Sequence, residues 1–362
     1  MSLRACLTAP PAGDPLRRVA GLSVLLRQLL SLQDAGVTEV ELPPGLLARL
    51  PPDARLRLTL RAGAGPADLT ARAGLVWHRL LPRRLAALGY RGDIERASLE
   101  GDEFVLPVAD AATARQAEDR LLGALLKATD GIISRAINRR ISLAVTRGLL
   151  DTSLTPNQMT FIALAFGLAA IAVVLWQGVA GLVTGAVLLQ VQSILDGCDG
   201  EISRLKYIRS RLGEWLDQVG DDVVNVGFFA AAGWVLWRDG SAVAGWLALV
   251  GTVLHLVYQL ALYAALILRG GGSGSVTSIR WWGQADHAEP AARARGPLVL
   301  VKETVEMAGR RDFFTFLYLP AAILGVPLVA LAWCAVIFSV SGLTTGLQWV
   351  LRGGPAPAVR TS

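Results

Sequence analysis

The chain has 362 residues, 53% of them hydrophobic, and its mean hydropathy of +0.46 is too high for an ordinary water-soluble protein. Its formal charge of +6 and pI near 9.6 raise the question of nucleic acid, but the sequence has no aromatic-interleaved basic patch and no nucleic-acid-binding motif, so no nucleic-acid partner is expected. Cys6, Cys198 and Cys334 are scattered without a pairing pattern and read as free thiols of a protein whose soluble parts face a reducing compartment.

Charge and apolarity are segregated along the chain. From Met1 to about Gly148 acids and bases are densely mixed, as on a water-exposed domain, and from Met159 onward long runs of Leu, Val, Ala, Phe and Trp carry few charges. The first residues reach Pro10-Pro11 before any long apolar stretch, so the core of a secretory signal is not expected there. Residues 20–42 read as helix, turn and strand, and His78 reads as part of an apolar helix of the soluble region. Residues 127–142 read as a basic juxtamembrane helix lying on lipid head groups.

A bilayer crossing needs roughly 20 apolar residues. The first candidate runs from Met159 to Trp176, with Thr155 as N-cap and Pro156 at the first helical position. Val179–Leu195, Leu212–Trp237 and Ser241–Leu268 follow, and Phe313–Leu351 is about twice a span, divided by Gly325-Val326-Pro327. Within the loop before it, Gly270–Ser275 reads as a hinge, Leu298–Met307 as a short interfacial helix, and Trp281 and Trp282 as boundary residues. The remaining histidines, His255 and His287, have no metal-ligand spacing. The expected fold is all-α with six transmembrane helices, preceded by a small α/β region. Its parts are a cytoplasmic α/β region at 1–125, the interfacial helix at 126–154, the six-helix domain at 155–352 and a disordered tail at 353–362. The short connections hold one base, Arg238, whereas the opposite side carries Arg135, Arg139, Arg140, Arg147, Arg204, Lys206, Arg269, Arg311 and others. The positive-inside rule places that side and both termini in the cytoplasm, and the excess of bases then serves topology and anionic lipid.

Between the second and third spans stand Asp196 and Asp199, three residues apart, and Asp217 and Asp221, four apart. On helices each spacing puts both carboxylates on one face. The second span arrives at the cytoplasmic surface and the third leaves it, so the two faces can converge. Four carboxylates together repel unless cations neutralise them, and hard divalent ions such as Mg²⁺ or Mn²⁺ suit oxygen ligands. A pair of ions would suit phosphoryl chemistry. Gly200 and Gly213 leave room for a nucleotide to approach the backbone, and Arg204 can pair with a phosphate. The competing reading is a solvated helix-helix turn with its acids paired to nearby arginines. Carboxylates at the membrane boundary of two adjacent helices are costly without a role, which weighs against it.

The run reads D-x2-D-G-x2-S-R-x8-G-x3-D-x3-D and resembles the signature of the CDP-alcohol phosphotransferase family, with Ser203 where that signature has Ala. The resemblance implies a six-span membrane enzyme that moves a phosphoalcohol from a CDP-alcohol donor to an alcohol acceptor and releases CMP. It implies that Asp196, Asp199, Asp217 and Asp221 bind the metals, that Asp221 is also the general base, and that Gly200, Arg204 and Gly213 line the CDP pocket. A homodimer within membrane lipids is a further implication.

Lys127-Ala-Thr-Asp130-Gly131 to Ser142, then Thr155-Pro156-Asn157, resembles the junction of bifunctional inositol-1-phosphate cytidylyltransferase/di-myo-inositol phosphate phosphate synthase enzymes. Residues 20–42 resemble part of a nucleotidyltransferase domain, but the segment Leu7–Arg17 has prolines where a phosphate-binding loop wants backbone donors. The α/β region is therefore expected to be a degenerate nucleotidyltransferase relic, and the substrates to be of the inositol-phosphate type. The alternative is phospholipid biosynthesis from CDP-diacylglycerol and a polar acceptor such as inositol phosphate or glycerol phosphate. A transporter would want its carboxylates mid-span on discontinuous helices, which is not the pattern.

Overall fold

The computed structural model describes residues 3–10, 12–126, 130–271, 274–280 and 309–357. They divide into two compact units, the first comprising Met1–Ala128, Leu143–Leu154 and Glu201–Ile208, the second Thr129–Ser142, Thr155–Gly200 and Arg209–Ser362.

The strands of the first unit are β1 (Leu3–Thr8), β2 (Arg18–Val19), β3 (Leu22–Ser23), β4 (Val37–Leu42), β5 (Thr59–Ala62), β6 (Leu69–Arg72), β7 (Leu75–Trp77), β8 (Gly92–Asp93) and β9 (Val105–Pro107). Its helices are α1 (Val24–Asp34), α2 (Pro44–Arg49), α3 (Leu81–Ala87) and α4 (Ala111–Gly123). The order β5-β4-β1-β6-β8 forms one parallel sheet, with Ala5 of β1 registered against Val40 on one side and Leu69 on the other. Ser23 starts α1 by accepting a hydrogen bond from the Leu26 amide at 3.3 Å. Leu25, Leu29 and Leu32 then recur on one face and join Val40, Leu42 and Leu69 in the core. Gly36, at φ +89°, turns the chain into β4, so the helix, turn and strand expected over residues 20–42 are present. His78 is a correction. The apolar run before it is the short strand β7, paired antiparallel with β9, and His78 sits in the turn that follows.

A second cluster of this unit joins Val19, Val24, Phe104, Leu121 and Leu122. Leu150, just past α5 (Arg139–Leu149), and Leu205, near the end of α7 (Leu182–Lys206), complete it.

The second unit is helical. Among the described residues, four helical segments are long and apolar enough to cross a membrane: Pro156–Lys206, Arg211–Arg238, Ala242–Arg269 and Pro327–Arg352. The first of these, at 51 residues, would be about 77 Å long as one straight helix, far beyond a bilayer core. It is interrupted at Gly178, φ +65°, by a short 3₁₀ turn that separates α6 (Pro156–Gln177) from α7. Gly185 of α7 faces Ala170 and Val174 of α6, so α7 folds back along α6. The other helices are α8 (Arg211–Arg238), α9 (Ala242–Arg269), α10 (Arg311–Ile323) and α11 (Pro327–Arg352). With 13 residues, α10 falls short of a full crossing by length. The break expected at Gly325–Pro327 is present, with Gly325 at φ +71°. The core sets Phe228 edge-to-face against Tyr318 and Phe229 against Phe338, each pair 4.9 Å between ring centres.

The tail expected from residue 353 is ordered at its start. Ala356–Pro357 (β11) pairs antiparallel with Ile279–Arg280 (β10), and Arg269 donates hydrogen bonds to the carbonyls of Gly353 and Pro355. Leu298–Met307, Trp281, Trp282 and His287 lie outside the described residues.

Candidate active site

The third- and fourth-residue spacings work as helical geometry requires. Asp196 and Asp199 project from the last turns of α7, and Asp217 and Asp221 from the first turns of α8. Carboxylate oxygens of Asp196, Asp217 and Asp221 all lie within 4.8 Å of one another. Asp199, 7% exposed, accepts a hydrogen bond from the Thr160 hydroxyl of α6 at 2.5 Å. Gln192, one helical turn before Asp196, donates to Asp221 Oδ1 at 3.2 Å. The guanidinium of Arg311, the first residue of α10, forms ion pairs with both Asp196 and Asp221.

One guanidinium does not neutralise four carboxylates. The donors are all oxygens, and two ligands across a magnesium-sized ion stand about 4.2 Å apart. Three carboxylates, each offering one oxygen within 4.8 Å of the other two, therefore fit a hard divalent cation.

Beside the cluster is a polar cavity of ≈ 130 Å³, lined by Ser134, Asn138, Arg139, Ser142, Ser193, Asp196 and Arg311 among others. Its floor is a π-turn at Ser134–Asn138, held by Asp312, whose Oδ2 accepts from the Ser134 amide at 2.8 Å. Asn138 donates to Ser193 Oγ at 3.2 Å and accepts from Gln190 at 2.6 Å. Arg139 is paired with Asp130 at 3.3 Å. The cavity thus presents hydroxyls and the guanidiniums of Arg139 and Arg311 next to the carboxylates.

Residues 153–341, just over half of the chain, match the sequence model of the family described as CDP-alcohol phosphatidyltransferase. The chain belongs to the CDP-alcohol phosphatidyltransferase family. That family uses a CDP-alcohol donor and an alcohol acceptor. Among curated proteins it is similar to the bifunctional IPC transferase and DIPP synthase of Aquifex aeolicus, 27% identical over 272 residues that cover 74% of this chain and 54% of that protein. The protein of the same description from Rubrobacter xylanophilus is 37% identical over 184 residues, 50% of this chain and 40% of its own. The CDP-diacylglycerol–serine O-phosphatidyltransferase of Mycobacterium leprae is 28% identical over 122 residues, 34% of this chain and 39% of its own. The chain spans about half the length of the Aquifex protein and less of the other two relatives.

The other positions of this phosphatidyltransferase signature fall as follows. Gly200 follows Asp199 on α7 and is partly buried. Gly213 opens α8, its amide donating to the capping Ser210 hydroxyl at 2.8 Å. A Cβ on Gly213 would stand 2.6 Å from Asn157 Oδ1, so the need for glycine comes at least in part from Asn157. Arg204 belongs to the first unit, where it lines a separate cavity. Asp222 accepts from the Tyr263 hydroxyl at 2.8 Å and from Gln218 at 2.9 Å, and so is engaged with α9 and its own helix. Sequence reading had no signal for Thr160 or Gln192, and it treated Arg139 and Arg311 only as topology-setting bases.

Proposed function

We propose that the chain is a metal-dependent CDP-alcohol phosphotransferase acting on inositol-phosphate-type substrates, in the manner of a di-myo-inositol phosphate phosphate synthase. The observation that carries this is the convergence of Asp196, Asp217 and Asp221 within 4.8 Å, with Asp199 beside them on α7. Asp196, Asp199, Asp217 and Asp221 would hold Mg²⁺ or Mn²⁺, as a pair of ions, supplying charge stabilisation for the departing phosphate. Asp221, steadied by Gln192, takes the proton of the acceptor hydroxyl. That oxygen attacks the β-phosphorus of the donor, the bond from this phosphorus to the oxygen bridging to CMP breaks, and CMP leaves with that oxygen. Arg139 and the serines of the adjoining cavity orient the acceptor, and a phosphorylated polyol suits their charge. Gly200, Gly213 and Arg204 are assigned to the nucleotide.

In this reading α6 to α11 make six membrane passes, the 13-residue α10 being a short one, and the excess of bases supports a cytoplasmic face for the aspartates and both termini. The chain works as a homodimer in the membrane. The α/β unit is a nucleotidyltransferase-like remnant. Its sheet has a topological switch point between β1 and β6, where such folds bind ligands. The segment after β1 packs on its own unit, with Gly13 against Val108 and Ala109.

A second reading is phospholipid synthesis from CDP-diacylglycerol, and the similarity to the Mycobacterium leprae protein favours it. The test is CMP release by purified protein with Mg²⁺, offering inositol phosphate with either CDP-inositol or CDP-diacylglycerol. Release with CDP-inositol, lost in Asp221→Asn, supports the first reading. Release with the lipid donor alone would replace it by the second.

A further inference from the structure

The first unit encloses a cavity of ≈ 170 Å³ that none of the four aspartates lines. Arg27, His78, Arg79 and Arg204 line it together with apolar side chains that include Leu121 and Leu125, and among the described residues no acidic one does. Arg27 is 4% exposed. Its Nη1 donates to the Leu205 carbonyl at 2.9 Å, and its Nη2 to the carbonyls of Val19 and Ala20 at 2.8 and 2.9 Å. Among the described residues, the buried Nε of Arg27 has no acceptor, nor does Nε of Arg79, and His78 Nδ1 is likewise buried without a partner. Buried donors in native proteins are nearly always satisfied, so donors left over around a cavity point to a missing acceptor. Burial also pulls the Arg27 guanidinium below its ordinary value, although Tyr207 and Glu118 act in the opposite sense.

These groups are held by backbone that is itself strained. Ala20 and Tyr207, at φ 50° and 54°, are the non-glycine residues with positive φ among the described residues. The Ala20 carbonyl anchors Arg27, and the Tyr207 ring lies under the Arg79 guanidinium at 5.4 Å. Both side chains are thus fixed by conformations that cost energy, as recurs at ligand sites. The carboxylates that approach the arginines, Asp34 at 3.5 Å from Arg79 and Glu118 near Arg27, stand outside the lining.

We propose that this cavity binds a phosphate monoester, its phosphoryl oxygens on Arg27 and Arg79 and its organic group against Leu121 and Leu125. Guanidinium forks match phosphate oxygens, and the apolar wall suits a group with little polarity on one face. Arg204, assigned above to the nucleotide, also lines this cavity, and the variants below fall on Arg79 and Ala124, to which the transfer proposal gives no role. Inorganic phosphate, a nucleoside monophosphate and a polyol phosphate share the chemistry, and the experiment separates them.

Titration calorimetry on the full chain in detergent, with EDTA and at constant ionic strength, would use inorganic phosphate, CMP and glycerol 3-phosphate. The expected result is saturable binding of at least one probe, weakened at least tenfold both by Arg79→Gln and by Ala124→Leu, which fills the cavity without changing charge. The tightest probe names the source of the phosphoryl group. Should Arg79→Gln fail to fold, Ala124→Leu alone carries the test. Heats no larger than those of potassium chloride, or equal affinity in the folded variants, would overturn the proposal.

Discussion

Arg311 governs the charge balance of the aspartate cluster, because its guanidinium occupies oxygens of both Asp196 and Asp221. It competes for the ligand atoms that a divalent cation needs. Arg311→Gln is expected to tighten Mn²⁺ binding by about tenfold in the absence of substrate, since roughly 1.4 kcal/mol of competition corresponds to that factor. Electron paramagnetic resonance of free Mn²⁺ reads this directly, and weaker binding would show that the arginine supports the ion instead. Asp221→Asn is expected to lower CMP release by about 10²–10⁴, the usual range for losing a general base. Gly213 offers a test of geometry. Gly213→Ala should depress CMP release by pressing on Asn157, and Asn157→Ala in the same chain should restore part of it. No recovery in the double variant would mean that the space at Gly213 serves the nucleotide.

At the scale of elements, the helix ends carry local signals that also set the site. Thr155 caps α6 in a reciprocal box, accepting from the Gln158 amide at 3.3 Å while Gln158 reaches back to the Thr155 amide at 2.9 Å. Thr155→Ala is expected to cost about 1 kcal/mol of stability, seen as a lower unfolding midpoint in detergent. Thr160, which holds Asp199, lies one turn further along that helix, so CMP release should fall with the cap. The cap and the four aspartates were legible in the sequence because each depends on residues three or four apart. Arg311 was not, being 115 residues from Asp196, where no local period connects them. His78 was misplaced for a related reason. A short apolar run such as Leu75–Trp77 fits a buried strand or a helix turn equally well, and only the partner strand β9 decides. The parallel sheet was legible only in α1 and β4, since the remaining strands are two to four residues long, apart from β1.

For the molecule as a whole, the first unit should be the acid-sensitive part. Burial holds the His78 imidazole below its ordinary 6.5, so the native state keeps it neutral while the unfolded chain takes up a proton. Its contribution is complete above 6.5 and is lost as pH falls from there toward the native value. Glu95, bonded to Arg72, is held below its ordinary 4.5, so its contribution is complete above 4.5 and is lost as pH falls through its native value. Hydrogen-exchange protection of the β1, β4 and β6 amides should be steady near neutrality and decline below about 6.5. His78→Asn should remove the upper part of that decline and leave the lower.

The first unit completes its core with Leu150 and Leu205, which the chain supplies long after residue 126. Arg27, likewise, finds a carbonyl acceptor at Leu205. In evolutionary terms, this makes the α/β region a poor candidate for gene fission. A piece ending near residue 126 would leave Val24, Leu121 and Leu122 without those two leucines and Arg27 without one of its acceptors. Shuffling would have to carry the segments 143–154 and 201–208 along, and 201–204 is part of the signature run itself. The α/β region would then persist in the lineage because α7 is inherited with it.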